Sequence, residues 1–98
     1  MAEPARELGP CPLCGRVLIE GPTVDRHHLV PKSEGGKAWI NIHRICHTKI
    51  HSLFSERELA AVYSSVEALL GHEEIQKFVR WVRKQPPEVV ARHRKPRR

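Results

Sequence analysis

The chain has seven histidines and three cysteines, and the spacing of several of them suits them to metal chemistry. His47 and His51 lie four residues apart, so on a helix both imidazoles leave one face about one turn apart and can grip a single metal ion. His27 and His28 are adjacent. A strand sends adjacent side chains to opposite faces, so one of the two can bind metal while the other does different work. Cys11 and Cys14 make a Cys-x-x-Cys step followed by Gly15, the turn chemistry of a zinc knuckle. Cys46 leaves an odd number of thiols, which argues against a disulfide framework. A neutral imidazole near its ordinary pKa takes a proton from water at physiological pH, so these residues suit metal-assisted hydrolysis.

At 98 residues the chain has room for one domain with a modest core. Seventeen Lys and Arg against 11 Asp and Glu give a formal net charge of +6, the balance of a polyanion-binding surface. No apolar run approaches the roughly 20 residues needed to cross a bilayer, and residues 1–10 lack the apolar segment of a signal peptide. The expectation is a cytoplasmic protein in a reducing compartment, with nucleic acid, most of all DNA, as partner and no membrane.

The elements that must position the histidines follow from periodicity. Residues 1–10 read as a loose lead-in. Val17, Leu18 and Ile19 form a β-favouring run, Gly21-Pro22 turns the chain, and Thr23 to Leu29 reads as the returning strand of a hairpin with His27 and His28 at its end. Pro31 to Lys37, with paired Gly35-Gly36, is a loop. Ile42, Ile45, Cys46, Ile50, Leu53 and Phe54 recur at helical intervals, which predicts a helix from His43 to about Phe54. Ser55 followed by Glu58 is a capping box that starts a second helix, with Leu59, Val62, Tyr63, Val66, Leu69 and Leu70 as its core stripe and Gly71 at its end. Ile75, Phe78, Val79 and Val82 mark a third helix, stopped by Pro86-Pro87. Residues 88–98 are a basic, solvated tail. Trp39 and Trp81 are candidate base contacts, with packing on the core as the expectation for both, and His72 and His93 are expected to be solvated.

The run Asp25-Arg26-His27-His28-Leu29-Val30-Pro31-Lys32-Ser33-Glu34-Gly35-Gly36, followed by Cys46-His47-Thr48-Lys49-Ile50-His51, resembles the signature of the HNH nucleases. The colicin nucleases share its His-His and Pro-x-Ser-x-Gly-Gly steps. The resemblance covers roughly residues 11–55. It implies an α+β fold: a small ββα-metal (His-Me finger) unit with a structural zinc site and additional C-terminal helices. The chain then divides into the lead-in 1–10, a nuclease core 11–55, a helical extension 56–87 and the tail 88–98. By the same resemblance His28 is the general base, and His27, His47 and His51 hold one catalytic divalent ion, Mg, Mn, Ni or Zn. The family asparagine that fixes the loop carrying the base maps to Asn41, which lies nearer to His47 than is usual. Ala38 or Trp39 is the alternative, with backbone groups holding the loop. Asp25 is an alternative ligand or an outer partner of a histidine.

Cys11 and Cys14 need two more ligands to close a tetrahedral zinc. Cys46 is the remaining thiol, and His43-x-x-Cys46 repeats the gap of the first pair, as in many HNH proteins. One structural zinc on Cys11, Cys14, His43 and Cys46 is therefore expected to staple the hairpin to the helix. Arg26, Arg44, Lys32 and Lys49 are candidate phosphate contacts, with solvated surface charge as their ordinary reading. The expected activity is metal-dependent hydrolysis of phosphodiester bonds in nucleic acid, DNA foremost, by an HNH-type endonuclease. The competing expectation is a noncatalytic zinc-containing nucleic-acid-binding module. A second copy of the chain, or a phage or mobile-element protein, is the candidate protein partner.

Overall fold

The computed structural model describes residues 6–87. In order they form β1 (Glu7–Pro10), β2 (Val17–Ile19), β3 (Val24–His28), a 3₁₀ turn (Lys32–Glu34), β4 (Trp39–His43), and helices α1 (Arg44–Leu53), α2 (Glu56–Ala61), α3 (Val66–Leu70) and α4 (Glu73–Val82). The fold is a small mixed α+β arrangement with two separate two-stranded antiparallel sheets, β1 with β2 and β3 with β4. Among the described residues no helix is long and apolar enough to cross a membrane. The tail 88–98, with His93, lies outside the described residues.

The strand pairing corrects two expectations. The segment before Cys11 contains a strand, and β2 pairs with it rather than with the segment that follows Gly21-Pro22. The Cys-x-x-Cys step is the turn of this first hairpin: Cys11 N donates to Arg16 O at 2.8 Å and Gly15 N to Cys11 O at 2.9 Å. Gly15 closes it with φ +84°, a backbone that residues with a Cβ rarely adopt. β3 takes β4 as its partner in continuous register, from Val24 opposite His43 to His28 opposite Trp39. β4 begins in residues the helical pattern leaves unassigned and takes Ile42 and His43 from the expected helix, which starts at Arg44 with His43 as its N-cap. The period-2 signal is Ile40 and Ile42 flanking Asn41.

This register sorts the second hairpin by face. Paired residues share a face, so Asp25 and His27 lie with Ile42 and Ile40, while Val24, Arg26 and His28 lie with His43, Asn41 and Trp39. α1 follows β4 without a loop and packs against both strands. Arg44 N donates to Thr23 O at 2.8 Å, which ties the start of the helix to the start of β3. Ile42, Ile45, Cys46 and Ile50 are buried with Leu13 and Leu18 of the first hairpin, so apolar burial across these elements holds the two sheets and α1 together.

The C-terminal helices extend the same core through Leu59, Leu69, Ile75, Val79 and Val82. Ser55 forms the expected capping box: its side chain accepts from Glu58 N, and Glu58 accepts from Ser55 N. The single second helix is instead two. α2 ends at Ala61, Val62 turns out to solvent, and Ser65 caps α3 by accepting from Ala68 N at 3.1 Å. Breaking there lets Tyr63 stack on Phe54, with ring centroids 4.2 Å apart. Trp39 and Trp81 are exposed by 44% and 50%, contrary to the core packing expected for them.

Candidate functional site

Two clusters of potential metal ligands flank α1. His27 from β3 meets His47 and His51 from α1, and one nitrogen from each of the three lies within 4.8 Å of the others. The i, i+4 spacing puts His47 and His51 on one helix face with ring centroids 4.7 Å apart. Strand alternation turns His27 toward them, at 5.3 Å and 5.8 Å between centroids. His27 is fully buried, and among the described residues neither of its ring nitrogens has a hydrogen-bond partner. An unsatisfied buried polar group costs roughly 1–3 kcal/mol, and a cation accepted by His27 relieves that cost at one nitrogen. Burial, followed by the neighbouring His47, His51 and His28, pushes the His27 pKa down to about 4. The imidazole therefore stays neutral, with a lone pair to give, at physiological pH. Partial desolvation also lowers the pKa of the otherwise exposed His51, with His47 adding to the effect and Glu56 opposing it.

Asp25 sits behind this trio rather than in it. Its Oδ2 accepts from His47 Nδ1 at 3.1 Å, and its Oδ1 accepts from Arg44 Nε at 3.3 Å. A carboxylate on Nδ1 fixes the ring and leaves Nε2 as the donor atom for a metal, the usual outer partner of a ligating histidine.

His28, half-buried at the end of β3, lines a cleft of about 260 Å³ together with Arg26, Pro31, Lys32, Ser33, His47, His51 and Glu56. The loop that forms one wall is held by its own backbone: Leu29 N donates to Ala38 O, Gly36 N to Pro31 O and Glu34 N to Pro31 O. Asn41 pairs with Arg26 across the hairpin, on the face shared by His28. It does not line the cleft and makes no side-chain hydrogen bond among the described residues. Lys32 lines the cleft, Arg44 is engaged with Asp25, and Lys49 lies 6.0 Å from the Phe78 ring, away from the cleft. Glu56 is a cleft residue that sequence reasoning missed. It accepts from the Ser33 hydroxyl and so ties the loop to α2, a contact with no signature in local spacing.

The second cluster is Cys11, Cys14, His43 and Cys46, all buried, with one ligand atom from each within 4.8 Å of the rest. This set could bind a metal such as zinc. The knuckle supplies two thiols, α1 the third, and His43, the N-cap residue of α1, the nitrogen. His43 Nε2 donates to Val17 O at 3.1 Å, which aims Nδ1 at Cys14 Sγ, 3.4 Å away. The three thiols are free of disulfides and cannot all carry charge without a cation. Contact with Cys11 and Cys14 pushes the Cys46 pKa up, while hydrogen bonds from Cys11 and Cys46 hold Cys14 down. Burial works against a proton on His43, but its bonds to Cys11 and Cys14 outweigh this and raise its pKa to about 9. An imidazolium there stands in for the positive charge of a metal. Arg16 Nε donates to Cys14 Sγ at 3.3 Å and its Nη1 to Pro86 O at 2.6 Å, linking the knuckle to the chain beyond α4.

No family model matches the chain, and no solved structure matches it. Among curated proteins, the Bacillus subtilis (strain 168) protein described as uncharacterized protein YisB is 40% identical over 91 residues, covering 89% of this chain and 86% of the relative. Identity of that extent across nearly all of both sequences makes the chain a member of the YisB family.

Proposed function

We propose that the chain is an HNH-type endonuclease of the ββα-metal class, built on β3, β4 and α1, that hydrolyses phosphodiester bonds of DNA. The observation that carries this reading is His27: fully buried, with both ring nitrogens unpartnered among the described residues, facing His47 and His51 beside a cleft lined by His28 and Arg26. A structural histidine buried this deeply is expected to hydrogen-bond, and this one faces two further imidazoles instead. A divalent cation on His27, His47 and His51 would supply positive charge for the phosphoryl and leaving oxygens.

The other roles belong to the chain itself. His28 takes the proton of the attacking water from the cleft side. Arg26 and Lys32 hold the phosphate by charge, and Asp25 keeps His47 turned to its ligand position. By the resemblance to HNH nucleases the products carry 5′-phosphate and 3′-hydroxyl ends. Zinc on Cys11, Cys14, His43 and Cys46 has a structural role, fixing α1 against the first hairpin.

A plasmid-nicking assay tests the reading, with metal-stripped protein and Mg²⁺, Mn²⁺, Ni²⁺ or Zn²⁺ added in turn. Nicking should require added metal and fall at least about 100-fold in His28→Ala, the usual worth of a general base. His28→Ala should keep its metal content and its DNA binding. Folded, DNA-bound protein that cuts with none of these metals would leave the noncatalytic zinc-containing binding module as the reading.

A further inference from the structure

Trp39 is 44% exposed at the start of β4, directly opposite His28, so the two side chains share one face of the hairpin. Toward its other end this face is covered, since His43 is buried and Val24 packs against the core. At the Trp39 end it is open. Arg26, diagonal to Trp39 on the same face, sets its guanidinium 4.3 Å from the centre of the indole ring and also lines the cleft with His28, His47 and His51. A solvent-exposed indole pinned by a cation at the mouth of a basic cleft contributes little to the core, but it has the makings of a stacking platform.

We infer that Trp39 and Arg26 together bind an unpaired nucleobase next to the phosphate held in the cleft, so that the preferred substrate is DNA with a single-stranded or locally opened segment. The inference rests on the proposed nuclease reading and names its substrate class. Arg26 serves two neighbouring groups, the phosphate through its N–H edge and the indole through its planar face. Trp39 offers its exposed surface to a base, and every base has a face to stack, so the preference is for unpaired strand rather than for a sequence. In an intact duplex the bases are stacked on one another and cannot reach the indole without being extruded, which costs a few kcal/mol.

The test uses the full chain with Trp81→Phe, so that Trp39 is the reporting indole. Oligothymidylate should quench its fluorescence. In fluorescence anisotropy Trp39→Ala should weaken binding of single-stranded DNA about tenfold, the worth of one lost stacking contact, while duplex binding changes less than twofold. Trp39→Phe should recover most of the loss. The same proteins are then given Mg²⁺, Mn²⁺, Ni²⁺ or Zn²⁺ in turn with intact duplex and with duplex carrying a single-stranded gap, and the wild type should cut the gapped substrate faster. If wild-type protein cuts but Trp39→Ala loses equally on both substrates, or on neither, the platform is overturned while the nuclease reading stands. If wild-type protein cuts neither substrate, the nuclease reading fails and the platform with it.

Discussion

Asp25 and His47 meet across the β3–α1 interface, Oδ2 to Nδ1 at 3.1 Å, and the same carboxylate reaches Arg44 Nε at 3.3 Å through its other oxygen. Asp25→Ala should therefore weaken metal binding at the proposed histidine site about 10- to 100-fold, because the carboxylate sets both the tautomer and the angle of His47. Stability should change little, since partly exposed ion pairs are worth about 0–1 kcal/mol. Competition against a chelating dye measures the affinity and a thermal melt the stability. Unchanged metal affinity would show that His47 needs no outer partner.

His51→Ala separates the two clusters from the other side. His51 is open to solvent on α1 and contributes nothing to the buried core, so its removal should abolish binding of the exchangeable ion and leave the melting temperature of the zinc-loaded protein unchanged. Elemental analysis after dialysis should fall from two ions per chain to one. A variant that still carries two would place the second ion elsewhere.

The residues of the two clusters were legible because their spacing is a local property. Three residues between helical histidines, and two between knuckle cysteines, bring side chains together whatever the rest of the chain does. Strand pairing is not local. Val17–Ile19 and the segment through His28 flank a Gly-Pro turn and read as one hairpin, yet each pairs with a strand outside it. β1 contains Gly9 and Pro10, which argue against a strand, and its ladder shifts register between Glu7 and Pro10, with Gly9 at φ +95°. The site itself needed β4: its pairing with β3 puts His43 at the cysteines and Trp39 beside His28. Asp25 was legible only as one of two alternatives, since a carboxylate two residues from His27 shares its strand face in either role and only the contact with His47 Nδ1 across the β3–α1 interface puts it behind the trio.

Gly35 and Gly36 look interchangeable in the sequence and are required for different reasons. Gly35 ends the 3₁₀ turn at φ +88° with open space where a Cβ would go, so Gly35→Ala should cost about 1–2 kcal/mol of left-handed strain. A Cβ on Gly36 would collide with the Val30 carbonyl, so Gly36→Ala must displace the loop that carries Pro31, Lys32 and Ser33 into the cleft. It should lose more stability than Gly35→Ala, beyond about 3 kcal/mol, and lower cleavage as well. Urea melts of the two variants side by side decide this. An equal loss, or a milder Gly36→Ala, would show that the loop yields without cost.

Removing metal from the cysteine cluster should unfold the chain rather than loosen it. Structural zinc contributes an apparent ~10–16 kcal/mol at neutral pH, whereas a whole domain is stable by about 5–15 kcal/mol. Here the cluster joins the knuckle of the first hairpin to both the start and the first turn of α1, so its loss releases the sheets from the helix together. Cys46 is completely buried, and a serine in its place leaves a hydroxyl among two thiolates and an imidazole with no soft ligand to offer. Cys46→Ser, and wild-type protein after prolonged chelation, should both lose the cooperative thermal transition, and excess zinc should restore it in the wild type alone. Circular dichroism melts with zinc analysis on the same samples make the measurement. A Cys46→Ser protein that melts cooperatively at the wild-type temperature without zinc would mean that apolar packing of Ile42, Ile45 and Ile50 against Leu13 and Leu18 suffices without the staple.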